Sequence, residues 1–228
     1  MSFQEADLSM PGDFSGKVRL FPLPNLVLFP GVMQGLHIFE PRYRDMMQDA
    51  LASDDLIAMA SLKPGWEAGS PDSEPAVFET VCVGKIVTHN QLPDGRFNLL
   101  LLGARRAKIV EEFESDELYR TAHVQIIEDT CSATAEELDG LKSRLVDVFR
   151  KFITVHPGFG KATLSESIVE LPAGMMADLI CYSSGLETEH RIHVLEMADV
   201  AHRVQAVLTL LEQRNNLAQN FPPDFSLN

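Results

Sequence analysis

Few side chains in this sequence combine a reactive type with a spacing that supports chemistry. Glu187, His190 and His193 recur at intervals of three residues, so they would share one face of a helix and could together ligate a metal ion. We favour the simpler interpretation, a solvated helix face, and predict no metal site. His37 stands among apolar residues, which favours a histidine in the core or at a hinge over a catalytic base.

The segment GFGKAT at 158–163 resembles a phosphate-binding loop only in part. The Walker motif requires glycine where this chain has Val155, and serine or threonine where it has Ala162. No G-x-S-x-G nucleophile motif and no H-E-x-x-H zinc helix occur. The sequence therefore argues against ATP hydrolysis and predicts no cofactor.

The three cysteines, Cys82, Cys131 and Cys181, are far apart and form no C-x-x-C pair. We expect reduced thiols that act as small apolar side chains, with Cys82 buried because its neighbours alternate with apolar residues. The N-terminus lacks the basic and apolar regions of a secretory signal, and no apolar run approaches the length of a membrane span. These features predict a cytoplasmic protein with no membrane partner.

The charge of the chain argues against nucleic acid as a partner. The 228 residues include 19 Lys and Arg against 33 Asp and Glu, which gives a formal net charge of −14. Residues 1–125 and residues 126–228 each carry half of this charge. Nucleic-acid binding depends on basic side chains that neutralise phosphates. The one basic cluster contains Arg105, Arg106 and Lys108, and we interpret it as a solvated strand edge rather than an RNA contact.

The first part of the chain predicts short strands and one helix. Prolines 22, 24 and 30 interrupt the apolar segment 18–31, which indicates a strand at 18–21, a bend and a short apolar segment at 26–29. Apolar residues at helical spacing predict a helix over 41–52 that begins with Pro41. Further strands are expected at 56–62, 78–91, 96–113 and 119–129, with a turn at Pro93-Asp94-Gly95.

The pattern becomes helical after Asp129. Thr134 and Glu137 fit a capping box, and Gly185 and Asp199 suit helix ends. The predicted helices cover 134–156, 164–170, 173–184, 188–197 and 199–215. Strands followed by helices predict an α+β fold.

Four segments carry a resemblance to the N-terminal, substrate-binding domain family of Lon proteases. The most specific is FPLPNLVLFPG followed by LHIFEPRYRDMMQDAL at 21–51. The hairpin LPDGRFNLLLLGARRAKI, the strand YRTAHV and the segment LEMADVAHRVQAVLTLLEQ are similar to later parts of that family. The resemblance covers about residues 17–215.

The resemblance implies a PUA-like β pseudobarrel with one short helix at 17–130 and an α-helical bundle at 131–215. A flexible leader at 1–16 and a polar tail at 216–228 would flank them. In Lon this region helps to recognise unfolded or damaged proteins and contributes to assembly, and the ATPase and Ser-Lys peptidase lie further along. We expect a stand-alone, non-enzymatic substrate-binding-domain protein.

Our leading hypothesis is a polypeptide-binding module for unfolded or partly folded chains. A peptide could pair with an edge strand or enter a cleft between the β part and the bundle, where methionines adapt to varied sequences. The alternatives are a small hydrolase or metal-binding enzyme and an RNA-binding PUA-like protein. No oligomeric state is implied. The candidate binding residues surround the start of the first helix: Phe39, Glu40, Arg42, Tyr43, Met46 and Met47.

Overall fold

Strands and helices occupy separate parts of the chain. The structure, a computed structural model, describes residues 10–68, 74–156, 158 and 166–220. The predictions for residues 1–9, for most of the GFGKAT segment and for residues 221–228 lie outside this part. The chain divides into two compact units, and the boundary lies between Glu128 and Asp129. In the described part the first unit contains six strands and the helix α1, and the second contains four α-helices.

The helix and the predicted strands of the first unit lie close to their expected positions, and a further strand lies at Met33–Ile38. The helix α1 is Pro41–Leu51 and begins with the proline, as predicted, with Tyr43, Met46, Met47 and Ala50 buried. The strands are β1 Lys17–Leu23, β2 Met33–Ile38, β3 Leu56–Ser61, β4 Thr80–Gln91, β5 Phe97–Phe113 and β6 Thr121–Ile126.

The six strands form one mixed sheet in the order β2-β5-β4-β3-β1-β6. The long strand β5 pairs with β2 through Phe97–Leu102 and with β6 through Ala107–Phe113, and it pairs with β4 along most of its length. β1 and β3 are parallel, and the other pairs are antiparallel. In the described residues, β2 is the strand with a single hydrogen-bonded neighbour, β5.

The prediction that β1 ends at residue 21 is wrong, because the strand continues through Pro22 to Leu23. β6 pairs with Lys17–Arg19, and Leu20 N donates the last bond on that side to Arg120 O, at 2.9 Å. By the alternation of an antiparallel ladder, the nitrogen of Pro22 points to the same side, beyond the last bond to β6. Its missing N–H therefore costs no ladder bond.

The apolar segment after β1 crosses β5 without forming a strand. Val27, Leu28 and Phe29 are buried there. Gly31 N donates to Gly103 O, and Gly103 N donates to Val32 O, each at 2.8 Å. This close crossing requires glycine on β5, because a Cβ at Gly103 would lie 2.1 Å from Phe29 O.

The core of the first unit follows from side-chain alternation and from one fully apolar strand. All six residues of β3 are buried, as expected of a strand covered on both faces. Alternate residues of the neighbouring strands, such as Val18 and Leu20, pack in the same core with Val81 and Val83. The predicted turn between β4 and β5 is confirmed, since Gly95 has φ +83° and its N–H donates to Leu92 O at 2.9 Å.

In the second unit, capping residues set the helix ends. Glu137 N donates to Thr134 Oγ1 at 3.3 Å, and Thr134 N donates to the Glu137 carboxylate at 2.8 Å, which confirms the capping box. Asp199 Oδ1 accepts from His202 N at 2.9 Å, and Gly185 has φ +58° just after a helix end. The helices are α2 Ala135–Val155, α3 Ala173–Ser183, α4 Thr188–Glu196 and α5 Val200–Asn220, with a 3-10 turn at Glu166–Glu170.

Two helix predictions need correction. The segment predicted as a helix at 164–170 is a 3-10 turn over its described residues. α5 continues to Asn220, so the predicted polar tail at 216–228 begins as helix. No proline or glycine interrupts the chain before Pro222, and polar residues at the end of a helix do not stop it.

A fully buried arginine connects three segments of the second unit. Arg203 on α5 makes a bidentate ion pair with Asp129, at 3.0 and 2.7 Å, and its Nε lies 3.3 Å from Asp178 Oδ1 on α3. It also donates to Met197 O at 2.8 Å. Gly174 leaves room for this guanidinium, because a Cβ there would lie 2.5 Å from Arg203 Nη2.

No helix in the described residues is long and apolar enough to cross a membrane.

Candidate polypeptide-binding site

The open edge of β2 presents backbone groups to solvent. Val32 O accepts from Gly103 on β5, so the ladder alternation directs the backbone of the even-numbered residues of β2 toward β5. The N–H and C=O groups of Met33, Gly35 and His37 therefore point away from the sheet. The Gln34 side chain supports this assignment, because its Nε2 donates to Gly35 O at 2.7 Å.

Apolar side chains lie on the solvent-facing side of this edge. Met33 is 37% exposed and Phe39, just after β2, is 60% exposed. On β5, Leu100 is 38% exposed and pairs with Gly35. We call the surface formed by Met33, Gly35, His37, Phe39 and Leu100 the β2 edge surface.

His37 is exposed at the centre of this edge, so the prediction of a core or hinge histidine is wrong. Its Nδ1 lies 2.7 Å from Asn98 Oδ1, which makes Nδ1 the donor, and its Nε2 lies 3.4 Å from Arg96 Nη1. The imidazole stacks with Phe39 at 6.2 Å between ring centroids. These contacts orient both rings along the edge.

The charged side chains next to the β2 edge surface are paired with each other. Arg42 Nη2 lies 2.9 Å from Glu40 Oε2, and Arg96 Nη2 lies 2.7 Å from Asp94 Oδ2. The bonds from Arg96 hold the pKa of the Asp94 carboxyl below its ordinary value. The apolar edge is thus flanked by two ion pairs in which the opposite charges neutralise each other.

The six sequence candidates separate into an exposed and a buried group. Phe39, Glu40 and Arg42 reach solvent at the β2–α1 junction. Tyr43 is buried, with Arg42 Cζ 4.5 Å above its ring and Phe21 packed edge-on at 4.6 Å. Burial raises the pKa of the Tyr43 hydroxyl, and the charge of Arg42 opposes the shift.

Met46 and Met47 lie in the core of the first unit with no exposed surface. The expectation that this methionine pair lines a binding surface therefore does not hold in this structure. Met176, of the second adjacent pair, is also fully buried. At these three positions methionine fills the interior, which is its commoner role in folded proteins.

Met33, Gly35 and Leu100 were not among the sequence candidates. The segment MQGLHI at 33–38 gives only a weak signal, because each of its two alternate sets of side chains mixes apolar and polar residues. The run of four leucines at 99–102 gives no such signal. Only the strand pairing shows that Leu100 is exposed and that Leu99 and Leu101 are buried.

The predicted basic strand edge is not an edge. β5 is paired on both sides around Arg105 and Arg106, and Arg106 is only 2% exposed. Arg105 lies 3.6 Å from Glu128, and Lys108 lies 3.3 Å from Glu79. The cluster is therefore partly buried and partly neutralised.

The residues considered and rejected as metal ligands lie at the start and on the surface of α4. His190 and His193 are exposed on α4, and Glu187 precedes that helix. Within the part of the chain that the structure describes, no three His, Cys, Asp or Glu residues are arranged to hold a metal ion. Cys82 and Cys181 are buried thiols, as expected of apolar side chains, but Cys131 is exposed.

Comparison with known proteins identifies the family. Residues 17–213 match the ATP-dependent protease La (LON) substrate-binding domain, so the chain belongs to this family. It is 26% identical over 204 residues to the Lon protease of Dictyoglomus thermophilum, covering 90% of this chain and 25% of that protein. The Lon protease 1 of Bacillus subtilis is 25% identical over 214 residues, covering 92% of this chain and 27% of that protein. The chain thus spans about a quarter of the curated relatives it matches.

Two solved structures share the fold. One is the crystal structure of a Lon N-terminal domain protein from Xanthomonas campestris, with a TM-score of 0.61 and 21% identity over 85% of this chain and 97% of that one. The other is the N-terminal domain of the Mycobacterium avium complex Lon protease, with a TM-score of 0.62 and 18% identity over 86% and 98%. They agree with the α+β class predicted from the sequence.

Proposed function

We propose that this chain is a non-catalytic polypeptide-binding module that recognises unfolded or partly folded proteins through the β2 edge surface. The observation that carries the proposal is the exposed apolar row of Met33, Phe39 and Leu100 beside an open strand edge. Membership of a substrate-binding-domain family supports it. In finer detail, we propose that the sheet is a PUA-like pseudobarrel and that the helices form a bundle.

The size of the apolar row fits weak binding that tolerates different sequences. Complete burial of a large apolar side chain contributes roughly 1.5–3 kcal/mol. The three side chains are already partly buried, so each contributes about 1 kcal/mol on contact with a ligand. Such a surface would select extended apolar segments, which folded proteins keep in their interior.

Fluorescence anisotropy tests the proposal. A labelled, permanently unfolded model protein is titrated with this chain without ATP, beside the same model protein in its folded form. We expect saturable binding of the unfolded form only. No binding of either form by a folded sample would show that the chain does not recognise unfolded polypeptide.

Matched variants test the location of the surface. Phe39→Ala and Leu100→Ala remove exposed apolar area from the β2 edge surface, and we expect each to weaken binding by roughly 3- to 10-fold. Val110→Ala is the control, because Val110 is also exposed on β5 but lies in the half that pairs with β6. Equal losses in all three variants, or in none, would place the binding surface elsewhere.

A further inference from the structure

Resting on the proposed function, we propose a binding mode: the bound segment adds to β2 as a further strand and pairs with the backbone of Met33, Gly35 and His37. The segment comes from another polypeptide, has low net charge and carries apolar side chains at alternate positions. Contact through side chains alone is the competing mode. The two modes differ in whether the backbone of β2 takes part.

The backbone geometry supports strand addition. In the described residues, β2 pairs with β5 on one side. On the other side, Met33, Gly35 and His37 make no hydrogen bond to another backbone group. A strand edge of this kind accepts an extended peptide through main-chain hydrogen bonds. At roughly 3.3 Å per residue, the six residues of β2 match a segment of about six residues.

The side chains around the edge define what the segment carries. Successive side chains of a strand point to opposite faces, so every second residue of an added strand lies beside Met33, His37 and Phe39 on the exposed face. Two of these three side chains, Met33 and Phe39, are apolar, and the third is the imidazole of His37. The flanking arginines are already neutralised by Glu40 and Asp94, so they offer little to a strongly charged segment.

The net charge disfavours a second copy of this chain as the occupant. Each copy carries a formal charge of −14, and like charge of this size opposes close association.

Gln34 holds Gly35 O with a 2.7 Å hydrogen bond from its exposed amide. A bound strand must displace this amide, which is a hydrogen-bond exchange that an extended peptide can make.

A pair of substitutions at Gly35 tests the backbone role. The Gly35 N–H points away from β5, so Gly35→Pro removes a donor from the open edge without removing a bond within the sheet. There is space for the new atoms, because a Cβ at Gly35 meets only Leu100 Cδ2, at 3.8 Å. Gly35→Ala adds a similar Cβ and keeps the N–H, so it is the matched control.

The probes are the unfolded model protein above and a labelled six-residue peptide of alternating valine and threonine. We expect Gly35→Pro to bind both probes about tenfold or more weakly than Gly35→Ala, because the two variants differ in whether the N–H of residue 35 is kept. Residue-resolved amide exchange of the wild-type chain gives a second readout that needs no variant. Bound probe should protect the amides of Met33, Gly35 and His37.

The outcomes separate this inference from the proposed function. If the wild-type chain binds no unfolded protein, the proposed function fails. If it binds, but Gly35→Pro binds as well as Gly35→Ala and the three amides stay unprotected, strand addition is wrong and the proposed function stands. If sedimentation shows a dimer that Gly35→Pro abolishes, the occupant is a second copy and the choice of partner is wrong.

Discussion

Gly103 lies where the segment after β1 passes over β5. A Cβ at this position would lie 2.1 Å from the backbone oxygen of Phe29, and both chain segments are held there by hydrogen bonds. We expect Gly103→Ala to lower the free energy of unfolding by about 1–3 kcal/mol, because backbone must move to make room. Urea denaturation measures the change.

Gly35→Ala is the control for Gly103→Ala. Gly35 lies on a strand that pairs with β5, but the space around it accepts a methyl group. We expect a change of less than about 0.5 kcal/mol, as for most exposed substitutions. A similar loss at both positions would mean that glycine matters here for a reason other than the close crossing.

Arg203 offers a test of a buried ion pair. Its side chain is fully buried and neutralises Asp178, which is also buried, and Asp129. We expect Arg203→Met to cost roughly 3–5 kcal/mol in urea denaturation, because the buried Asp178 would lose its ion pair with the guanidinium. The double variant Arg203→Met, Asp178→Leu should recover much of the loss. If the double variant is as unstable as the single one, packing rather than charge explains the effect.

At the scale of single residues, the sequence predicted the burial of some side chains correctly and that of others, such as His37, wrongly. Cys82 was predicted to be buried, and it is. Tyr43, Met46 and Met47 follow the spacing of an amphipathic helix, and this spacing points them into the core. Their chemical suitability for peptide binding could not show that they would be buried.

At the scale of elements, the capping box of α2 makes a pH-dependent contribution to stability. The backbone and hydroxyl of Thr134 donate to Glu137, at 2.8 and 2.9 Å, and these bonds hold the pKa of the Glu137 carboxyl below its ordinary value. A group whose pKa is lower in the folded state stabilises the fold above its unfolded pKa. This contribution is lost as the pH falls through the folded pKa.

Two variants isolate this contribution. Thr134→Ala should lower stability by about 1 kcal/mol at pH 7, the usual cost of losing an N-cap side chain. Glu137→Gln should be less stable than the wild type at pH 7, and the difference should shrink as the carboxyl becomes protonated in acid. Denaturation series at pH 7 and at about pH 3 measure both. A difference between Glu137→Gln and the wild type that is independent of pH would contradict the role of the carboxylate.

The order of elements could be read from the sequence, but the partners of each strand could not. Prolines, glycines and helical spacing located α1, the β4–β5 turn and α2–α4 to within a few residues. The double role of β5, which pairs with β2 and β6 through its two halves, depends on contacts between distant segments. For the same reason, periodicity alone could not identify β2 as a strand with an open edge.

At the scale of the whole molecule, the charge predicts no affinity for RNA. The net charge is −14, and the basic side chains of β5 are neutralised by Glu128 and Glu79 or buried. Few cationic side chains of this strand are therefore available to neutralise phosphates and release counterions. We expect no mobility shift with single-stranded RNA at physiological salt. A salt-dependent shift that Arg105→Glu abolishes would restore the RNA-binding alternative.

The two units also differ in when the growing chain can complete them during synthesis. All six strands of the first unit have been translated once Ile126 is added. The second unit must wait for Arg203, which follows Asp129 by 74 residues and neutralises it together with Asp178. Because domains fold as units from the N-terminus during translation, the first unit is able to fold before Arg203, which pairs with Asp178 of α3, has been translated. We therefore expect the helical unit to mature after the first unit.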